Sequence, residues 1–295
     1  MRRKAALGGA LALLIGALVL CWVVGTRHER AKVPAKPVSP IAEEVLAADF
    51  PRLAVTRADQ DTEMTDAVPV DLSQEQDELL ITAGGKYRLS GKLNGRIRVD
   101  AEEQTVHLFL DGVTVNAGEG PALWTESAGK LILTLTEGSE NSFTDSGRYQ
   151  NYIGAGAEAC VYSRADLTVN GSGKLTVTGL YKDAIRSSNV VKILDGNLTI
   201  RCKRTGVHGS DGIRVSGGSV SISSEKNGFR TTKSGADGRG NLVVSGGSHR
   251  VIAGRYAFLV ARGDLYIYDC TILDKSVVST YSAGGQVSIQ SGCFQ

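Results

Sequence analysis

Six basic side chains in the C-terminal half of the chain fall at a fixed spacing. Lys182-Asp183-Ala184-Ile185-Arg186 recurs as Arg204-Thr205-Gly206-Val207-His208 and again as Lys226-Asn227-Gly228-Phe229-Arg230, a step of 22 residues each time. Each copy runs base, small or polar residue, tiny residue, apolar residue, base. Cations at such a spacing have one obvious chemistry, the capture of anions along a line. Arginine adds a planar fork that matches a carboxylate. If each step is one coil of a solenoid, equivalent positions stack about 4.8 Å apart, the strand spacing of a sheet. Lys182, Arg204, Lys226 and Arg255 then form one row, and Arg186, His208 and Arg230 a second. Like charges at that spacing repel unless something neutralises them. The rows therefore meet an anionic partner, or intervening acids such as Asp183 and Glu225 cancel them.

The elements that must position these rows are short strands. Leu167-Thr168-Val169, Val191-Lys192-Ile193, Ile213-Arg214-Val215, Leu242-Val243-Val244, Leu265-Tyr266-Ile267 and Val287-Ser288-Ile289 all alternate with period two. Their starts are separated by 24, 22, 29, 23 and 22 residues. Glycine turns such as Ser216-Gly217-Gly218-Ser219 and Ser245-Gly246-Gly247-Ser248 punctuate them. The longest step contains the inserted loop Ser234-Gly235-Ala236-Asp237-Gly238-Arg239-Gly240. Hairpins alone would not impose a 22-residue repeat on a third segment. The pattern predicts an all-β, right-handed parallel β-helix of about 22–24 residues per coil rather than a sandwich or barrel. Towards the N-terminus, Val106–Leu110 and Val113–Val115 read as two further strands around Asp111-Gly112.

Charge is unevenly distributed. Residues 26–78 carry 6 basic and 12 acidic side chains, and residues 182–262 carry 14 basic and 5 acidic ones. Such asymmetry speaks about partners rather than fold. At the N-terminus Arg2, Arg3 and Lys4 precede an uncharged apolar run from Ala5 to Gly25. A run of that length spans a bilayer as one helix, and the basic flank orients it. Three domains are expected: a signal anchor or signal peptide over 1–25, an extracytoplasmic linker with Pro34, Pro37 and Pro40 over 26–78, and the β-helix over 79–295. The body is expected outside the cytoplasm, tethered by a single pass or secreted if the signal is cleaved.

Several motifs in register carry a resemblance. Ile81-Thr82-Ala83-Gly84-Gly85-Lys86-Tyr87-Arg88-Leu89-Ser90-Gly91, Leu110-Asp111-Gly112-Val113-Thr114-Val115 and Gly179-Leu180-Tyr181-Lys182-Asp183-Ala184-Ile185 are among them, with Thr136–Asp145 and Val161–Gly171. Over residues 80–290 the chain resembles bacterial cell-surface carbohydrate-binding β-helix proteins. That family is lyase-like in fold, and its members bind cellulose-like and acidic plant polysaccharides. The resemblance implies coils carrying an Asp-Asp-Gly-Ile phrase whose acids bind calcium. Here five of the six acidic positions are lost and three have become basic. Calcium needs six or more oxygen ligands, several of them charged. Asp183 with Asp166 or Asp211 is what remains of such a site.

An enzyme needs more than bases. A lyase of acidic polysaccharide joins a base to a metal that acidifies the proton beside the carboxylate. Glycoside hydrolysis needs two facing carboxylates. Neither set is evident in the sequence. Trp124 is the best candidate for a flat face against sugar rings. Cys270 and Cys293 fall at adjacent turns of the last coils, where an exported protein can bridge them. The expectation is a non-catalytic surface protein whose basic rows and Trp124 hold polysaccharide, acidic in preference to neutral, with no cofactor and no nucleic-acid partner. A polysaccharide lyase and a structural or protein-interaction solenoid are the alternatives.

Overall fold

The computed structural model describes residues 50–295, apart from 76, 153–155 and 236. The apolar run over 1–25 and the linker up to residue 49 lie outside the described residues. Among the described residues no helix is long and apolar enough to cross a membrane.

The described chain is an all-β solenoid whose strands pair in parallel. One coil reads Asp183–Ser187, Val190–Ile193, Asn197–Cys202, and the next reads Thr205–Gly209, Gly212–Val215, Ser219–Ser224. Each strand pairs with its equivalents one coil away, so three faces arise. Face one is a sheet of nine strands from Glu78–Ile81 to Ser279–Ala283. Faces two and three are joined by one long strand, Thr105–Asn116. Its first half pairs with Lys130–Leu135 and its second with Glu140–Thr144. Two strands were expected there. The Asp111-Gly112 pair, with Gly112 at φ 79°, turns a corner without breaking the strand.

The 22-residue step is one rung. Ile185 lies opposite Val207 and Val207 opposite Phe229. Alternation sends these residues inward, where Ile97, Leu123, Val161, Ile185, Val207, Phe229 and Phe258 form one buried column. Phe229 and Phe258 stack with centroids 5.3 Å apart. Replacing Phe229 with alanine removes a full rung of this column. It should cost about 3–5 kcal/mol in urea unfolding; a loss below about 1 kcal/mol would mean that the column does not carry the coil. The tiny residue of the repeat has a packing cause. A Cβ added at Gly206 would stand 2.6 Å from Ile222 Cγ2, and one at Gly228 would stand 2.5 Å from Val251 Cγ1.

The folded body reaches further towards the N-terminus than residue 79. Val68–Asp71 pairs in parallel with the strand Gly85–Leu93. Residues 50–63 form a strap along face two. Phe50 lies against Tyr266, and Leu53 is buried with Val190, Val243 and Tyr268. Further along, Asp59 meets Lys192 and Lys130, and Asp61 meets Lys86. Acid-rich composition reads as a solvated spacer; here the acids face bases that lie far away in sequence. Beside Lys86 in register is His107, a buried ring stacked on Phe109. Burial pulls His107 down to about 4, against the pull of Asp61. A neutral ring of that kind contributes stability in full above about pH 6.5, its unfolded value, and loses it as pH falls towards 4. His107→Gln should therefore flatten the stability profile between pH 6.5 and 4. An unchanged slope there would assign the acid sensitivity to other groups.

Cys270 and Cys293, expected as bridge partners, are free thiols. The Ile272 N–H donates to the Cys293 carbonyl at 2.7 Å, which closes the last coil through backbone.

Candidate functional site

The outward-facing column of face one carries the second predicted row. Arg186 lies opposite His208 and His208 opposite Arg230. Because Ile185, Val207 and Phe229 point inward, their neighbours in sequence point out. The column also extends where the sequence reading did not follow it. Arg98, Trp124 and Tyr162 occupy the preceding rungs, and Leu259 the next one. Its intervals before Arg186 are irregular, 26 residues from Arg98 to Trp124 and 38 from Trp124 to Tyr162. The segment that follows Glu140–Thr144 breaks the period. Alternation within Leu123–Ser127 and Ala159–Ser163 is the signal that would have placed these rings.

Trp124 is therefore on the predicted face but not a free platform. Tyr152 packs edge-on against it at 5.5 Å, and the Arg98 guanidinium sits over its ring at 5.3 Å. Arg186 sits over Tyr162 at 5.9 Å. Each ring is thus partnered with a cation, as expected where an aromatic quadrupole meets a half-buried guanidinium.

Asp183 is the hub beneath the row. It is fully buried and accepts from Arg204 Nε at 2.7 Å, Arg204 Nη2 at 2.9 Å and the Thr205 N–H at 3.1 Å. His208 Nδ1 donates at 3.1 Å to Oδ2, the oxygen that also takes Arg204 Nη2. Burial alone would raise this carboxyl, but the bonds from His208 and Arg204 outweigh it and hold it well below the usual carboxylate range. Burial pulls His208 below its ordinary value, although Asp183 opposes this, so the ring is neutral near pH 7 with Nε2 unprotonated. One acid that survives from the repeat thus orients two of the predicted bases.

The first row is also in register, and it is partly neutralised. The Arg204 N–H donates to the Lys182 carbonyl and the Arg255 N–H to the Lys226 carbonyl, so these four side chains mark one corner of successive coils. Glu158 supplies what the sequence reading lacked. It pairs with Lys182 at 2.7 Å and lies 3.7 Å from Arg204 and 3.9 Å from Arg186. Glu225 is exposed and forms no ion pair among the described residues. Lys226 and Arg255 are exposed at the far end, with Arg255 over Tyr256 at 5.6 Å.

Arg230 stands apart. It is half-buried, its Nε is enclosed without a hydrogen-bond partner, and among the described residues it makes no ion pair. Burial pulls its guanidinium below the ordinary value, helped by Arg204 and Arg186 and opposed by Asp183. The Arg186 Nε is likewise enclosed and unpartnered. A buried cationic donor left unpaired is costly, and two of them lie two rungs apart on one face.

A profile for carbohydrate-binding domain-containing proteins matches residues 75–293, which takes in all three faces. The chain belongs to this family. A carbohydrate-binding domain-containing protein of Acetivibrio thermocellus is 36% identical over 146 residues, covering 48% of this chain and 51% of that relative. The chain thus spans about half the length of that curated relative. A solved structure described as the polysaccharide lyase-like protein from C. thermocellum, a gadolinium derivative, superposes with a TM-score of 0.72. It is 28% identical and covers 77% of this chain and 97% of its own.

Within this carbohydrate-binding family the fate of the three expected metal acids is specific. Asp183 is consumed by Arg204 and His208. Asp211 pairs with Arg52 at 3.1 Å and Lys233 at 2.7 Å, with Arg239 at 3.6 Å. Asp166 accepts from the Val190 N–H at 3.3 Å. They do not form one coordination group, and among the described residues no cluster of three His, Cys, Asp or Glu is placed to hold an ion. The donor set around Asp183 and Asp211 is cationic, which does not fit calcium.

Proposed function

We propose that this carbohydrate-binding chain holds acidic polysaccharide, without cleaving it, along face one, with the polymer lying across Arg186 and Arg230 above the buried His208. The observation that carries the reading is the unpaired, half-buried Arg230 guanidinium, one rung from His208 and two from Arg186. Its Nε lacks an acceptor that a carboxylate supplies in bidentate form. Lys226 and Arg255 extend the field at the exposed corner, whereas at the other end Arg98 is engaged by Glu126 and Trp124 is covered by Tyr152 and Arg98. The winding is right-handed in this reading, as crossovers between parallel strands are. The basic and apolar N-terminal run serves to place the body outside the cytoplasm, anchored in or released from the membrane. Binding to a panel of soluble acidic and neutral glycans, at low and high salt, tests the proposal. Retention of polyuronates that weakens with salt is expected. Equal binding of neutral cello-oligosaccharides, indifferent to salt, would overturn it.

Asp183 and His208 support one second reading, an eliminating lyase. Nδ1 is fixed by the carboxylate, Nε2 is free to accept a proton, and two guanidinia flank it. Against it, His208 is 4% exposed and Nε2 faces Thr232 Oγ1 at 3.5 Å. Unsaturated products absorbing in the ultraviolet, lost in His208→Gln, would favour this second reading over binding alone.

A further inference from the structure

The strap crosses face two in the way a linear anionic ligand would. It runs along the solenoid axis, and donors from successive coils reach up to it. Lys130 Nζ meets Asp59 Oδ1 at 2.7 Å, Thr168 Oγ1 donates to the same oxygen at 2.6 Å, and Lys192 Nζ meets Oδ2 at 3.0 Å. Thr168 and Lys192 are one rung apart. The Lys192 ammonium also donates to the Ala54 carbonyl at 2.6 Å, and Asn170 Nδ2 donates to the carbonyls of Asp59 and Asp61. Lys86 pairs with Asp61 at 2.9 Å towards the early coils, and Arg214 Nη1 donates to the Leu53 carbonyl one rung beyond Lys192.

What holds this segment is charge rather than apolar burial. Phe50 and Leu53 anchor one end. From Ala54 to Asp71 the only buried residue is Asp59, and it is 0% exposed. A cleft of about 920 Å³ opens beside the segment, lined by Val55, Gln60, Thr62, Asn170, Asp195 and Arg214.

We propose that Lys130, Thr168 and Lys192 form a second carboxylate-binding site, with Asp59 as its resident occupant and a uronate of an acidic glycan as the group that exchanges with it. This site lies on a different face from Arg186 and Arg230 and does not depend on them. Two physical conditions follow. The Lys192 side chain is 4% exposed, and an ammonium left there without its carboxylate is strongly unfavourable. Only a ligand bringing a carboxylate displaces the strap, so neutral glycans are excluded. The tethered Asp59 also has an effective concentration in the millimolar range. A lone uronic acid competes poorly against it, whereas a polymer presenting many carboxylates competes well.

The test is amide hydrogen exchange over residues 54–63 in the full chain. It is run with oligogalacturonate, galacturonic acid or cello-oligosaccharide, in the wild type and in Arg186→Gln/Arg230→Gln. Oligogalacturonate is expected to speed exchange over 54–63 in both chains, at least several-fold, and the other two sugars are not. Unchanged or slower exchange over 54–63 at saturating oligogalacturonate would overturn the second site, whatever happens on face one. Loss of face-one protection alone in the double variant would leave it standing. Asp59→Asn gives an independent arm: a folded variant should show faster exchange over 54–63 and one additional bound oligogalacturonate. A variant that binds no more than the wild type counts against the proposal. If Asp59→Asn does not fold, the wild-type exchange result decides.

Discussion

A chain carrying Arg186→Gln and Arg230→Gln is expected to bind polyuronate about 100-fold more weakly than the wild type. Each guanidinium is asked to supply one charge-assisted interaction worth roughly 1.5 kcal/mol or more, and two such losses give that factor. The fold should survive. Both side chains point outward, neither Nε has a partner to lose, and the inward column of Ile185 and Phe229 is untouched. Removing two like charges that lie two rungs apart on one face also relieves some repulsion. Isothermal titration with oligogalacturonate, beside thermal unfolding, separates the two effects. Unchanged affinity in a chain of unchanged Tm would remove face one from the account. Arg204→Gln is not an equivalent experiment, because Arg204 is the bidentate partner of a buried acid.

Asp183→Asn is expected to destabilise the chain as much as the loss of a core ring such as Phe229. The carboxylate is fully buried and holds Arg204, His208 and the Thr205 N–H at once. Removing one member of a buried charged set leaves the others uncompensated, at a cost of about 3–5 kcal/mol. For a body of this size that is a fall in Tm of roughly 10 °C. The sign of the pH dependence follows from the same contacts. Asp183 is held below its unfolded value, so its contribution is complete above about pH 4 and fades as pH falls through the lower folded value. The wild type should therefore lose stability below pH 4 more steeply than Asp183→Asn. Differential scanning calorimetry across that range checks both statements, and a variant within about 1 kcal/mol of the wild type at pH 7 would contradict the hub.

Much of the solenoid was legible because its repeat is strict where it matters. Ile185, Val207 and Phe229 keep one spacing, and residues that stack in a column must do so. The tiny position could be read only as a pattern; its cause, Ile222 and Val251 pressing on Gly206 and Gly228, needs the fold. The rows were legible for the same reason as the column. Their neutralisation was legible only at Asp183. Glu158 lies outside the repeat, and nothing in its neighbourhood marks it as the partner of Lys182. The strap was hidden for a related reason. Asp59 sits in an acidic stretch resembling any solvated spacer, and its partners Lys130 and Lys192 are 71 and 133 residues away. Long-range ion pairs leave no periodic trace. The acids expected at a calcium site show the converse effect. Asp183 and Asp211 look like ligands in sequence, but Arg204 folds onto the first, and Arg52, Lys233 and Arg239 onto the second.

The most direct measurement is a crystal structure of the full chain with a bound oligogalacturonate. A sugar carboxylate is expected within hydrogen-bond distance of the Arg230 guanidinium, with the oligomer running along the axis towards Arg186. Ordered sugar elsewhere, with both guanidinia facing solvent, would contradict it.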